Sequence, residues 1–193
     1  TGDNILFSND AFGQHYAVEE LFNDKADSCL LWGEALKYYA NILNPFSPLV
    51  KKKIEEIQSL SLPIEIIAPS HGSIWRDNPL QIVEKYYAWS QDYQEDQITI
   101  AYDTMWDSTM LLAHRIAAEI TAVSPETKVK IFNISKTNKN DIMTEVFRSK
   151  AIAVGSPTVG QNILSSVGGW LDFLKELKFK NKKAAVFGCY GWS

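Results

Sequence analysis

From Ile98 onward the chain alternates short apolar runs with longer amphipathic stretches, and no other feature restricts the fold as much. The runs Ile98–Tyr102, Val129–Asn133, Ala151–Gly155 and Ala184–Gly188 read as strands, with helices over Ser108–Val123, Asp141–Arg148 and Ser165–Leu177 between them. Each strand candidate is continuously apolar rather than alternating, as expected where helices cover both faces of a parallel sheet. Right-handed crossovers then build an open, doubly wound α/β sandwich. In such sheets ligands bind beyond the carboxyl ends of the strands, so the loops there are the places to look for chemistry.

The stretch before it, Thr1 to about Tyr93, follows a different pattern. Ile5-Leu6-Phe7 followed by Ser8-Asn9-Asp10 reads as a strand ending in a polar loop. An aromatic-rich helix is expected over Leu30–Leu43, closed by Asn44-Pro45, and a second strand over Ile64–Ala68 runs into Pro69-Ser70-His71-Gly72. After Asn78-Pro79 the residues Ile82, Val83, Tyr86 and Trp89 share one helix face. Ser90–Gln97 is polar and acidic, which predicts a linker at 94–97 between a region 1–93 and a region 98–193.

Hydrophobic residues make up 46% of the 193, enough for a real core, and the net charge is −4. The densest basic cluster, Lys51-Lys52-Lys53, precedes an amphipathic stretch and reads as a solvated helix face, so nucleic acid is not an expected partner. No apolar run approaches the roughly 20 residues of a membrane span. Cys29 and Cys189 form neither a disulfide framework nor a metal pair, which suits a reducing cytoplasm. The chain opens without methionine and stops amid loop-like residues, so it is expected to be a piece of a longer protein.

The loop Tyr102-Asp103-Thr104-Met105-Trp106-Asp107-Ser108-Thr109 joins the first strand of the sandwich to its first helix. The helix's unpaired amides favour an anion, and Thr104, Ser108 and Thr109 add hydroxyl donors. No Gly-Lys-Ser/Thr sequence is present, which excludes a triphosphate loop with its lysine, and the dinucleotide glycine fingerprint is absent too. Neutral donors of this kind suit a phosphate monoester, although Ser108 and Thr109 could instead merely cap the helix. Two further loops fall on the same sheet edge: Gly155-Ser156-Pro157-Thr158-Val159-Gly160-Gln161-Asn162 and Gly188-Cys189-Tyr190-Gly191-Trp192. Small residues there let backbone amides reach a ligand's polar rim, and aromatic rings can cover a flat one.

With these three loops, Ile98–Ser193 resembles a flavodoxin domain, whose loops hold the phosphate and both sides of the isoalloxazine of FMN. The usual first loop is Ser/Thr-x-Thr-Gly-Asn-Thr; here Thr104-Met105-Trp106-Asp107-Ser108-Thr109 lacks the Gly-Asn pair and is similar to the version in flavodiiron proteins. Phe187-Gly188-Cys189-Tyr190-Gly191-Trp192-Ser193 resembles that family's third flavin loop, with Trp192 as the candidate for stacking on the ring. A fifth strand and last helix, expected of such a domain, are not found in the chain.

In the first region, Leu6-Phe7-Ser8-Asn9-Asp10-Ala11-Phe12-Gly13 and Ser70-His71-Gly72-Ser73-Ile74-Trp75-Arg76 are similar to segments of the metallo-β-lactamase-like domain of flavodiiron proteins. The resemblance implies that Asp10 bridges two non-haem irons and His71 ligates one. Asp3 competes as the aspartate of a Thr-Gly-Asp motif, and His15 with Tyr38 or Tyr39 are candidates to support the ligands. His114 is assigned no role. The family's His-x-Glu-x-Asp-His motif is expected upstream, so the diiron site is incomplete in this chain.

For the intact protein the resemblance implies a cytoplasmic oxidoreductase. Electrons from rubredoxin or a similar donor would pass through FMN to the diiron site, reducing O2 to water, NO to N2O, or both, in a head-to-tail homodimer. Open alternatives are a flavodoxin-like carrier without a metal site, a zinc hydrolase of the metallo-β-lactamase-like fold, and a degenerate scaffold that binds no cofactor.

Overall fold

The computed structural model describes residues 3–191, and the chain falls into two compact units, Thr1–Gln91 and Asp92–Ser193. In the first, strand β1 (Ile5–Asn9) runs parallel to β2 (Ile66–Pro69), Ile5 opposite Ile66, with the register slipping between Phe7 and Asn9. Helix α1 (Ser28–Tyr38) begins at Asp27, whose carboxylate accepts the Leu30 amide at 2.9 Å. The expected stop at Asn44-Pro45 does not occur. A π turn over Tyr39–Leu43 and a 3-10 turn over Asn44–Phe46 lead directly into α2 (Ser47–Ser59). Pro45 and Pro48 each fall in a first helical turn, where a missing N–H is harmless, so proline opens these turns instead of ending the helix.

Helix α3 (Leu80–Trp89) buries Ile82, Val83, Tyr86 and Trp89, the face its spacing predicts. Tyr86 is the centre of an aromatic core, its ring 4.9 Å from Phe12, 5.0 Å from Tyr39 and 5.5 Å from Trp89.

The second unit contains β3 (Glu95–Tyr102), α4 (Ser108–Val123), β4 (Lys128–Asn133), α5 (Lys139–Arg148), β5 (Ser149–Gly155), a short hairpin of β6 (Thr158–Val159) and β7 (Asn162–Ile163), α6 (Ser165–Glu176) and β8 (Lys183–Phe187). The main sheet has the order β4-β3-β5-β8 with every pairing parallel. Counted within the sheet this is second, first, third, fourth, the flavodoxin-like doubly wound order, and its direction of winding reverses between β3 and β5.

Alternate residues of the central strands go to opposite layers. Ile100 and Ala153 pack with Ala113 and Ala117 of α4, while Ala101 and Val154 pack with Ile142, Val146, Val167 and Trp170 of α5 and α6.

One expectation needs correction here. The segment 94–97 is no linker, because β3 already starts at Glu95, which pairs with Ser149. Its polarity is satisfied inside the fold. The fully buried Gln97 amide donates to the Glu145 carboxylate at 2.8 Å and to the Ser149 hydroxyl at 3.2 Å, and Asp96 bonds Lys150 and Thr127. One flank of β8 has no described helix over it. At the sheet edge β8 leaves Ala184 and Ala185 exposed and Val186 at 87% exposure, beside an apolar trough of about 650 Å³ that reaches Leu171 and Leu174 of α6. Among the described residues no element lies beyond that strand.

Candidate functional site

At the reversal point, the loops after β3, β5 and β8 meet. The Asp103 amide donates to the Gly155 carbonyl at 3.1 Å, the Ser156 amide to the Phe187 carbonyl at 3.2 Å, and the Thr158 amide to the Cys189 carbonyl at 2.9 Å. Gly188 is needed for this approach: a Cβ there would lie 2.1 Å from the Ser156 carbonyl oxygen. The second loop is an antiparallel hairpin rather than open coil. Thr158 faces Ile163, Val159 faces Asn162, and Gly160 and Gln161 turn with φ of +54° and +62°. Pro157 is buried beneath it, and the Ser156 hydroxyl accepts the Leu164 amide at 3.0 Å while donating to the Pro157 carbonyl. Gly160, Gln161 and Asn162 are exposed.

The loop after β3 enters α4 through Asp107, held at φ +61° with no side-chain hydrogen bond capping the helix. The first amides of α4 are therefore left for an outside partner. Ser108 is exposed beside them. Thr109 turns inward, fully buried, and its hydroxyl lies 3.4 Å from Cys189 Sγ, tying the first loop to the third. Thr104 Oγ1 is buried and has no hydrogen-bond partner among the described residues. A buried hydroxyl left so carries a desolvation penalty, which an anion's oxygen accepting its proton would remove. The residues present thus fit a phosphate. Around the opening Met105 is half exposed, Trp106 is 83% exposed and Tyr190 77%, leaving flat apolar surfaces for a ring. Trp192 lies outside the described residues.

Sequence reasoning assigned no role to Asp103. Its Oδ1 accepts the Thr104 amide at 2.8 Å, and its Oδ2 accepts the hydroxyls of Ser135, after β4, and Ser166, at the start of α6. Burial pushes this carboxyl up, but the bonds from Ser135, Ser166, the Thr104 amide and Asn133 outweigh it and hold it below the usual range.

The first unit brings a second set together. Because β1 and β2 are parallel, the residues that follow them, Asp10 and His71, emerge at the same end. His71 Nε2 is 3.3 Å from Asp10 Oδ1, which also accepts the Ser70 hydroxyl at 3.0 Å. His15 lies edge-on to His71 at 5.6 Å and to Tyr38 at 4.8 Å. Burial, then the charge of Asp10, raises the Tyr38 phenol above its ordinary pKa. Tyr39 belongs elsewhere. Its ring packs on Tyr86 and Trp89, its hydroxyl bonds Ser47 at 2.9 Å, and burial pushes its pKa up to about 12. Asp3 precedes β1 and so lies at the strand's other end from Asp10. Among the described residues no group of three His, Cys, Asp or Glu side chains converges as a metal site.

Gln14, also overlooked, fastens the two loops. Fully buried, it accepts the Ser73 amide at 2.6 Å and donates to the Ser73 carbonyl at 3.2 Å. Gly72 between them has φ +79°, and a Cβ there would lie 1.4 Å from Gln14 Oε1. Trp75 Nε1 donates to the Phe12 carbonyl at 2.9 Å and the Tyr86 hydroxyl to that of Gly13 at 3.3 Å, which fixes the turn after Asp10. The only sequence signals were a polar amide in an aromatic segment and an aspartate directly after a strand.

A family model described as flavodoxin matches residues 100–193, and with the strand order and the three convergent loops it defines the second unit as a flavodoxin-like domain. Over its whole length the chain is 54% identical to the anaerobic nitric oxide reductase flavorubredoxin of Klebsiella pneumoniae and spans 40% of that protein. Rubredoxin oxygen:oxidoreductase from Desulfovibrio gigas matches all of this chain with 48% of its own, at a TM-score of 0.94 and 36% identity. The flavodiiron protein from Giardia intestinalis does so with 47% of its own, at 0.90 and 31%. Over its whole length the chain thus resembles flavodiiron proteins, of which it spans less than half.

Proposed function

We propose that the second unit binds FMN and that the first, as part of a metallo-β-lactamase-like domain, contributes Asp10 and His71 to a diiron centre. The observation that carries the flavin reading is the buried, unpartnered Thr104 hydroxyl at the start of an uncapped helix. Thr104, Ser108 and the first amides of α4 would hold the phosphate. The hairpin from Ser156 to Asn162 and the Gly188–Trp192 loop, with Cys189 and Tyr190, would enclose the ring, alongside Met105, Trp106 and Asp107. FMN supplies one- and two-electron chemistry when bound; the protein orients it and limits water around it.

A carboxylate beside an imidazole at 3.3 Å is a donor set suited to iron, since carboxylate has two oxygens to span two cations. Two such residues do not complete a two-ion site, so further ligands must come from beyond the described residues. The nitric oxide reductase of Klebsiella supports NO as a substrate of the whole protein, and the rubredoxin oxygen:oxidoreductase of Desulfovibrio supports O2 and a rubredoxin donor. A head-to-tail homodimer in the cytoplasm completes the proposal. No helix among the described residues is long and apolar enough to cross a membrane.

Anaerobic flavin and metal analysis of the full-length protein, followed by turnover with each gas, tests this. One FMN and two irons per chain with NO or O2 consumption is the expected result; a colourless protein that takes up no FMN ends the proposal. FMN without stoichiometric iron would instead favour a flavodoxin-like electron carrier. The zinc-hydrolase alternative is weakened because its bridging candidate, Asp3, lies at the end of β1 away from His71.

A further inference from the structure

The loop that would hold the phosphate contains no lysine or arginine between Asp103 and Thr109, and it carries two carboxylates. Asp107 is exposed, where water screens it, but Asp103 is buried. A fixed negative charge beneath an anion site works against binding through its field alone. It must be there for another reason, and its bonds supply one. The backbone of Asp103 is tied to Gly155 at the end of β5. Its side chain takes the hydroxyls of Ser135 and Ser166 on one oxygen and the Thr104 amide on the other. One residue thereby joins the ends of three strands and the start of α6.

We infer that Asp103 is the positioning residue of the phosphate loop: it touches no ligand, but by fixing the Thr104 backbone it aims the Thr104 hydroxyl at the phosphate. This rests on the FMN reading of the site. A carboxylate has no proton to offer a phosphate oxygen, which excludes a direct role. Ser135 and Ser166, which could otherwise act as donors to an anion, are occupied by Asp103. The phosphate then depends on neutral donors whose direction is set before binding, and preorganised donors of this kind are the more effective ones.

The test compares FMN with riboflavin, which lacks the phosphate, on the full chain. Asp103→Ala is expected to weaken FMN about tenfold or more while changing riboflavin affinity by less than about twofold, with a moved 31P resonance for the FMN that still binds. Asp103→Asn should restore FMN affinity to within about threefold of the unsubstituted chain, because its oxygen can accept the Thr104 amide and its NH2 can donate to both serines. If Asp103→Ala does not fold, Ser135→Ala combined with Ser166→Ala carries the same expectation. FMN binding within about twofold of normal in a folded variant overturns the inference, as does an equal loss for FMN and riboflavin, which would mark a general collapse. An unsubstituted chain that binds no FMN overturns the flavin reading itself, and the inference with it.

Discussion

Both units set their candidate loops at the carboxyl ends of neighbouring parallel strands, yet they distribute charge in opposite ways. In the first unit Asp10 and His71 keep side-chain exposures of 64% and 47%, held by bonds that mostly reach the backbone around them, from Trp75, Tyr86 and Gln14. In the second the Asp103 carboxylate is buried and bonded on both oxygens, and apart from the exposed, water-screened Asp107 what surrounds the opening is neutral: hydroxyls, amides and rings. The first arrangement offers negative charge and lone pairs to a cation. On the proposed function, the second would keep its bonded carboxylate back from an entering anion. One strand-end geometry therefore serves contrary electrostatics, and the difference lies in where one aspartate is placed.

The sharpest way to break this comparison is at the two close-packed glycines. Gly188→Ala drives a Cβ into the Ser156 carbonyl, and Gly72→Ala drives one into Gln14 at a strained φ. Each should destabilise its own unit by about 2 kcal/mol or more in denaturant titration. FMN should be lost from the first variant and iron from the second; a variant that loses both cofactors would show that the sites are not separable. Next in size, His71→Ala in the full-length protein should abolish stoichiometric iron and gas reduction while the flavin spectrum persists. Removing hydroxyls has a milder effect: Thr104→Ala with Ser108→Ala should weaken FMN by about 1 kcal/mol per lost bond, read by fluorescence quenching, with iron content unchanged.

The smallest effect is that of acid. Asp103 is held below its ordinary pKa of 3.8, so its contribution to stability is complete above that value and disappears as pH falls through the lowered one. Urea midpoints at pH 7 and pH 3 should differ less in Asp103→Ala than in the unsubstituted chain.

What was legible in the sequence follows from the range of the forces involved. The strands and helices of the second unit announce themselves through local apolar runs, and Ser108–Val123 begins and ends where its pattern does. The linker reading failed because Gln97 and Asp96 find partners around 30 to 50 residues away, which no window of neighbouring residues contains. Tyr38 and Tyr39 were inseparable for a related reason. Adjacent residues on a helix point about 100° apart, and only the packed structure decides which of the two meets His15. Asp10 and His71 stood out through their resemblance to a family, whereas Asp103 and Gln14 escaped notice because their importance lies entirely in bonds to distant loops.

The uncovered margin of the second sheet has a practical consequence. Among the described residues β8 is an edge strand with Ala184, Ala185 and Val186 open to water, and in this polypeptide it offers both a hydrogen-bonding edge and a greasy flank to any extended peptide, including another copy of itself. Samples of this polypeptide alone should therefore lose solubility as concentration rises, and a charged substitution at Val186 is the simplest means of keeping them dispersed.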